Sequence, residues 1–470
     1  MAPQHPTDNT SATTLSALPP QAHAGGVRSP SGRASVATDA RVVAADVFAD
    51  LRRGELLDAT FSRRTTALDA RDRRWTRELV YGTLRTRGRL DALLAARVRG
   101  GLGRLDADLL DLLRLGTYQL LEMGSVPAYA AIAQTVELAK ARSGEGAGKL
   151  ANAVLRRLDR ERADLALPAA ADLADALATE LSHPRWLVAR WLERWGPDET
   201  RRLLEANNVE PPIVARPVHV VREQLEASLE EAGAHTADAP LVPDSLVLVP
   251  PVPALTELGA FKRGLFHIQD PAATLVTKYA AIAPGSLVVD LCAAPGGKAI
   301  ELSRTAGAVF ACDVSAHRLG RLRESVARLE LGNVFAFVAD ARRPATQPVD
   351  VVLLDAPCTG TGTMRRHPDA RWRLKPSDLG VMTTLQWMLL SAAADSVKPG
   401  GLLVYSTCSI EPEENDAPID RFLAERPEWA LEPPPDGVVP AEVLDAGRLR
   451  VLPQRHGADG AFAARLRRRA

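Results

Sequence analysis

Hydrophobic and polar positions follow three successive patterns along the chain. From residue 40 to about 158 apolar residues recur at helical spacing: Val43, Val47 and Leu51 share one face, and Leu109, Leu112, Leu113 and Tyr118 another. Gly100-Gly101 and Pro127 mark breaks. This predicts an all-α domain over 39–165. Residues 170–208 read as further helix, with Ser182-His183-Pro184 capping a segment that opens on Arg185-Trp186. Between Pro211 and Ile268, short apolar runs such as Ile213-Val214-Ala215 and Leu246-Val247-Leu248-Val249 are separated by Pro and Gly. Residues 170–268 are therefore predicted to be helical plus a small α/β piece that connects two larger domains.

From Gln269 onward, strand-like and helix-like patterns alternate. Residues 288–291, 308–312, 334–338, 349–354 and 401–406 are apolar runs of strand length, and helical segments lie at about 297–306, 316–330 and 378–397. The alternation predicts a doubly wound, Rossmann-like α/β domain with a parallel sheet over 269–470. Residues 460–465 read as its last strand.

Composition sharpens this picture. A chain of 470 residues with 46% hydrophobic content supports two to four domains with real cores. Formal net charge is zero, so nucleic-acid binding would have to use local patches. Residues 39–160 carry 22 Lys and Arg against 16 Asp and Glu. Arg63-Arg64, Arg71, Arg73-Arg74, Arg77, Arg85, Arg87 and Arg89 crowd one section, which fits either a solvated surface or an RNA-phosphate face. Residues 1–38 are rich in Pro, Ser, Thr, Ala and Gly, are predicted to be a disordered tail, and are assigned no function. No apolar run approaches the ~20 residues of a membrane span. The opening residues lack the pattern of a secretory signal, and the expected location is cytoplasmic. Cys292, Cys312, Cys358 and Cys408 form no C-x-x-C pair, so neither a zinc site nor a disulfide framework is expected.

The candidate chemistry centres on 287–298, LVVDLCAAPGGK, which reads as strand, tight loop and helix start. A P-loop is excluded, because its first glycine stands four places too near and Ala299 follows Lys298 where a hydroxyl is needed. The dinucleotide fingerprint G-x-G-x-x-G is absent. Gly296 and Gly297 are expected to let a ligand approach the backbone. Asp313, Asp340 and Asp355 follow successive strands, and Asp313 stands where ribose hydroxyls are held. A nucleoside pocket without phosphates suits S-adenosylmethionine.

Two further loops follow predicted strands, Asp355-Ala356-Pro357-Cys358-Thr359-Gly360-Thr361-Gly362 and Tyr405-Ser406-Thr407-Cys408-Ser409-Ile410. Each sets a thiol at the rim of that pocket, whereas Cys292 and Cys312 read as small buried hydrophobes. Carbon-5 of cytosine is too weak a nucleophile to take a methyl group directly. A thiolate adding to carbon-6 turns carbon-5 into an enamine carbon that can. Asp355 is the candidate acid near ring nitrogen-3. Beside the first cysteine, Arg365, Arg366, His367, Arg371, Trp372, Arg373 and Lys375 fit a solvated face or, preferably, a groove for an RNA strand; His367 reads as structural. The target base has to be unpaired or flipped out. Trp186, Trp191 and Trp195 fit a packed helix face better than a base-stacking platform, and His183 reads as a structural cap. Arg467–Arg469 is either a phosphate contact or nothing.

Several stretches together resemble known families. Asp72-Arg73-Arg74-Trp75-Thr76-Arg77-Glu78-Leu79-Val80-Tyr81-Gly82, Val126-Pro127-Ala128-Tyr129-Ala130-Ala131-Ile132 and Ala151-Asn152-Ala153-Val154-Leu155-Arg156-Arg157 are similar to the NusB RNA-binding domain. LCAAPGGK, DAPCTGTG, RRHPDARW and YSTCSIEPEEN resemble the signatures of the RNA 5-methylcytosine methyltransferases. With the NusB-like front end, residues 40–470 resemble the RsmB (Fmu/Sun) family, which acts on a cytidine of 16S small-subunit rRNA. That resemblance implies an all-α NusB-like domain, a connecting region and a class I S-adenosylmethionine-dependent methyltransferase domain. It implies Cys408 as nucleophile and Cys358 as release cysteine, beside the candidate acid Asp355. It implies a cofactor site of Cys292, Ala293, Ala294, Pro295, Gly296, Gly297, Lys298, Asp313, Arg318, Asp340 and Asp355. Ribosomal RNA is the implied partner, with no metal and no membrane, and a monomer is the default. Ala215-Arg216-Pro217-Val218 departs from the family's usual strand ending in Arg-x-Asn. A DNA cytosine-5 methyltransferase using Cys358 as nucleophile, and a non-catalytic RNA-binding or ribosome-assembly factor, are the alternatives.

Overall fold

A computed structural model describes residues 38–470; the reading of 1–38 as a disordered tail lies, but for Thr38, outside the described residues. Helices Asp39–Arg52, Leu57–Arg64, Ala70–Ala95, Ala107–Leu121, Ala128–Ser143 and Glu145–Arg160 form the front domain. Asp69 and Asp106 cap two of them by accepting from backbone N–H groups of the first turn. Leu79, Val80, Leu84, Leu93 and Leu94 of the longest helix pack on Leu112, Leu113, Val154 and Leu155. Gly82 is required at one crossing, because a Cβ there would stand 2.0 Å from Tyr118 Oη.

Helices Leu173–Glu180 and Arg185–Asn208 follow, the second bent at Gly196-Pro197. The connecting piece is then an antiparallel sheet of β1 (Ile213–Pro217), β2 (Thr236–Asp238), β3 (Leu246–Leu248) and β4 (Phe266–Ile268), in the order β2-β3-β1-β4. Helix Arg222–Glu230 covers it through Leu225 and Leu229. Arg216 is buried in an ion pair with Glu301 and Asp244, so it joins this piece to the next domain and does not face RNA.

The last domain holds β5 (Leu287–Asp290), β6 (Ala308–Asp313), β7 (Val334–Val338), β8 (Val349–Asp355), β9 (Val397–Thr407), β10 (Trp429–Leu431), β11 (Leu444–Asp445), β12 (Arg448–Val451) and β13 (Ala461–Arg468). Their order is β11-β12-β13-β9-β8-β5-β6-β7, with β10 on β13. The five strands expected from sequence are parallel neighbours. The sheet as a whole is mixed, because β13 pairs antiparallel with β9 over Phe462↔Thr407 to Arg467↔Leu402. Antiparallel neighbours need no long helical crossover, and 429–468 supplies strands joined by turns and single helical turns.

The 365–373 segment corrects the groove reading. Arg365 and Arg366 both donate to Asp270 and Asp459, at 2.6 to 3.0 Å. Arg371 is 0% exposed and donates to the carbonyls of Ser182, Met364 and Asn207 and to Asn208 Oδ1. Trp372 Nε1 donates to the Leu84 carbonyl at 2.7 Å, and His367 Nδ1 lies 3.2 Å from Asp58 Oδ2. These side chains stitch the front domain, the helical hairpin and the last domain together; Arg373 and Lys375 stay at the surface.

Other arginines of the basic section are paired within the protein. Arg63 and Arg64 pair with the buried Asp50, Arg77 with Glu210, and Arg89 with Glu122. Arg85 donates to the Arg365 carbonyl. Arg71, Arg73 and Arg74 remain exposed. Trp191 is fully buried and donates to Glu411, and Trp186 and Trp195 pack beside it, as a helix face does. His183 is buried against the Leu181 carbonyl. Arg467 is held by Glu432 and Arg468 by the Val397 carbonyl. Among the described residues, no helix is long and apolar enough to cross a membrane.

Removing the Arg371 guanidinium strands four acceptors in the interior. Arg371→Ala is expected to lower unfolding free energy by about 3–5 kcal/mol, read from urea denaturation. A change below about 0.5 kcal/mol, the range of ordinary surface substitutions, would refute the stitching role.

Candidate active site

The site is assembled where β5, β6, β8 and β9 end, the edge at which open α/β sheets bind ligands. A cavity of about 480 Å³ opens there, lined by Leu291, Cys292, Ala294, Asp313, Val314, Arg318, Asp340, Ala341, Arg342, Asp355, Ala356, Pro357, Cys358, Leu385, Leu389 and Cys408. Of the expected cofactor residues, Cys292, Ala294, Asp313, Arg318, Asp340 and Asp355 line this cavity.

Ala293, Pro295, Gly296 and Gly297 do not line it; they shape the loop. Ala293 N donates to the Cys312 carbonyl at 2.8 Å. Gly296 has φ +115°, and a Cβ there would come within 2.3 Å of Leu322 Cδ1. The glycine is therefore demanded by backbone conformation and by helix Ala316–Arg328 packing on it, rather than by a ligand. Gly297 opens helix Gly297–Leu302.

Asp313 is buried and accepts from Ser315 N at 2.8 Å and Ala294 N at 3.2 Å. Arg318 donates to the Ala294 carbonyl and closes the same corner. Asp340 pairs with Arg342 at 2.6 Å, which holds its carboxyl down to about 2. Acids beside apolar walls suit a nucleoside carrying a positive charge, and the donor set contains no cradle for phosphates.

At the other end of the cavity, Lys298 Nζ donates to Asp355 Oδ2 at 2.6 Å and Ser406 Oγ to Asp355 Oδ1 at 2.8 Å. Burial works against the Lys298 charge, but Asp355 outweighs it and raises the lysine's pKa. Cys358 Sγ and Cys408 Sγ are 3.3 Å apart. The hydrogen bond from Cys358 lowers the Cys408 thiol, burial and Asp355 oppose this, and Lys298 and His367 assist it. The same hydrogen bond, together with burial, pushes Cys358 far up, and Glu414 adds to this. The directions favour Cys408 as the more acidic of the two thiols, while by geometry either sulfur can donate to the other. Burial raises Cys292 and Cys312 as well, as befits inert thiols.

Three chemistries of contact hold the two cysteine loops, and sequence reading gave none of these residues a role. Glu414 accepts from Thr359 N at 2.9 Å and Gln386 Nε2 at 3.0 Å. Asn415 accepts from Thr407 Oγ1 at 2.6 Å and donates to the Ser409 carbonyl at 2.9 Å. Gly362 lies so close to Gly460 that a Cβ would stand 2.6 Å from its Cα. The run Glu411-Pro412-Glu413-Glu414-Asn415 was a visible signal, but nothing in its spacing tells that Glu411 and Glu414 turn inward and Glu413 does not.

Three family profiles match the chain: 16S rRNA methyltransferase RsmB/F over 279–467, the NusB family over 38–160, and the RsmF/B-like ferredoxin-like domain over 183–254. The ribosomal RNA small subunit methyltransferase B of Pseudomonas syringae pv. tomato is 35% identical over 91% of this chain and 96% of its own length. That of Vibrio cholerae is 36% identical over 84% and 89%. The chain belongs to the RsmB/F family. Among solved structures, PH0851 matches with TM-score 0.75 and 29% identity over 91% of this chain and 98% of its own. A methyltransferase homolog from Pyrococcus horikoshii matches with TM-score 0.55 and 28% identity over 64% and 100%. As an RsmB/F methyltransferase the chain modifies small-subunit ribosomal RNA, and the acid-lined cavity fits the methyl donor such enzymes use.

In this RsmB/F chain Asp290 lies beneath the site, fully buried, and neither carboxylate oxygen has a hydrogen-bond partner of good geometry. Burial, then the charge of Asp355, pushes it up to about 8. Its folded-state pKa lies above the unfolded value of about 3.9, so its ionisation opposes folding. It should subtract stability as pH rises from about 4 to about 8. Asp290→Asn is expected to flatten that slope in urea midpoints measured across the window; an unchanged slope would rule this out. For the thiols, iodoacetamide alkylation of Cys408 should reach its half-maximal rate below the ordinary thiol range. Cys358→Ala should move that midpoint to higher pH, and peptide-level mass spectrometry showing no movement would contradict the assigned hydrogen bond.

Proposed function

We propose that this chain methylates carbon-5 of a cytidine in 16S rRNA through a covalent adduct on Cys408. The observation that carries the reading is the Cys358–Cys408 contact beside the Lys298–Asp355 pair, with the field favouring a thiolate on Cys408. Methylating a ring nitrogen or a ribose hydroxyl calls for no thiol, whereas carbon-5 of cytosine does.

S-adenosylmethionine supplies the electrophilic methyl group. Cys292, Ala294, Asp313, Arg318 and Asp340 are the residues to hold it, within the loop built by Ala293, Pro295, Gly296 and Gly297. Cys408 attacks carbon-6 of the extruded base. Asp355, oriented by Ser406 and Lys298, has to carry a proton to donate to ring nitrogen-3 and neutralise the negative charge that addition creates, and the hydrogen-bonded Lys298 ammonium can supply that proton. Methyl transfer to carbon-5, followed by passage of its proton to a base such as water, then lets the bond between Cys408 sulfur and carbon-6 break, with Cys358 assisting release. A DNA enzyme attacking through Cys358 is disfavoured, because that thiol is the one pushed upward. Arg71, Arg73 and Arg74 are the exposed cations at the start of helix Ala70–Ala95, whose later turns contact the 365–373 segment, and they suit an RNA backbone.

Trapping tests the assignment. Incubated with S-adenosylmethionine and small-subunit RNA, Cys358→Ala is expected to accumulate a protein–RNA adduct on denaturing gels, and Cys408→Ala to form none and lose methyl transfer. The reverse pattern would mean that the two thiols exchange roles; methyl transfer retained by Cys408→Ala would end the covalent reading.

A further inference from the structure

The two thiols are placed for chemistry that methyl transfer does not itself use. Their sulfurs are 3.3 Å apart, both side chains are partly exposed, and both face the same open cavity. They follow adjacent parallel strands whose ends are in register, Asp355 beside Ser406. Neighbouring strands run about 4.8 Å apart, inside the Cα span of about 4.4–6.8 Å that a disulfide bridges. A bonded pair of sulfurs is about 2.05 Å apart, so closure asks each side chain for well under an ångström, from loops outside helix and strand.

We propose that the Cys358–Cys408 pair is a modification site for hydroperoxides, oxidised to an intramolecular disulfide by hydrogen peroxide and restored by thiol reductants. Cys408 sulfur attacks one peroxide oxygen: an S–O bond forms, the O–O bond breaks and hydroxide leaves, giving a sulfenic acid. Cys358 sulfur then attacks Cys408 sulfur: the S–S bond forms, the S–O bond breaks, and the Cys358 proton departs with the hydroxyl as water. The two sulfurs give up two electrons, one peroxide is reduced, and the products are one water and one hydroxide. The Lys298 ammonium beside Cys408 favours the attacking thiolate. Cys292 and Cys312 do not compete, since burial holds both as thiols, Cys312 up at about 12. Because the nucleophile and the release thiol are consumed together, the oxidised protein cannot transfer a methyl group; this consequence alone rests on the reading of Cys408 under Proposed function.

The full chain, reduced and then freed of reductant, is treated with hydrogen peroxide, capped with N-ethylmaleimide and digested without reductant. The expected result is a linked peptide containing Cys358 and Cys408, lost on addition of dithiothreitol with return of methyl transfer. In Cys358→Ser the same treatment should give a dimedone-reactive sulfenic acid on Cys408 and no linked peptide. Wild-type protein whose Cys408 passes to sulfinic acid while Cys358 stays alkylatable would overturn the proposal, as would a peptide linked through Cys292 or Cys312. A Cys358–Cys408 link in protein that transfers no methyl group even when reduced would support this site and overturn the methyl-transfer reading instead.

Discussion

The register between β8 and β9 is the constraint on which the rest of the site depends. Asp355 pairs with Ser406, so two loops fifty residues apart in the chain leave the sheet side by side. Parallel pairing sets Asp355, Cys358 and Cys408 on one rim, and Ser406 then binds the Asp355 carboxylate directly. A one-residue slip would reverse the side-chain faces of β9 and carry Ser406 away from Asp355. The buried neighbours Leu353, Leu354, Val404 and Tyr405 oppose such a slip by filling both sides of the sheet.

Charge is used differently in the interior and at the cavity. Arg365, Arg366, Asp270 and Asp459 form a compensated cluster behind the first cysteine loop, and Arg371 spends its donors on carbonyls. Buried charges of this kind add little net stability, yet removing one partner is costly, so the cluster specifies how the loop sits. The front domain reaches the same segment through Asp58 on His367, the Leu84 carbonyl on Trp372 and Arg85 on the Arg365 carbonyl. Domains matched by separate family profiles are thereby tied to the loop that carries Cys358.

Much of the fold was legible in the sequence. The five parallel strands and their helices came from apolar runs and helical periodicity, which are local properties. The antiparallel addition of β10 to β13 was not legible beyond its last strand, since short strands joined by turns carry no signal of which neighbour they take. In the site, Cys408, Cys358, Asp355 and the acids at strand ends were visible because chemistry restricts residue type. Gly296 was visible too, but for a reason the structure revises: Leu322 occupies the space a side chain would need.

Arginine marks the boundary between the two kinds of information. The sequence by itself determined that Arg365, Arg366 and Arg371 are cations next to a reactive loop, and that Asp313 and Asp355 end strands while Asp340 follows one. Composition and spacing report what each side chain is and which local element bears it. Only the tertiary structure decided that those arginines face inward to Asp270, Asp459 and backbone carbonyls, leaving Arg71, Arg73 and Arg74 exposed. The partners lie up to about 190 positions away, as with Arg371 and Ser182. Whether a guanidinium meets a phosphate or a carbonyl depends on that juxtaposition, which no local pattern encodes.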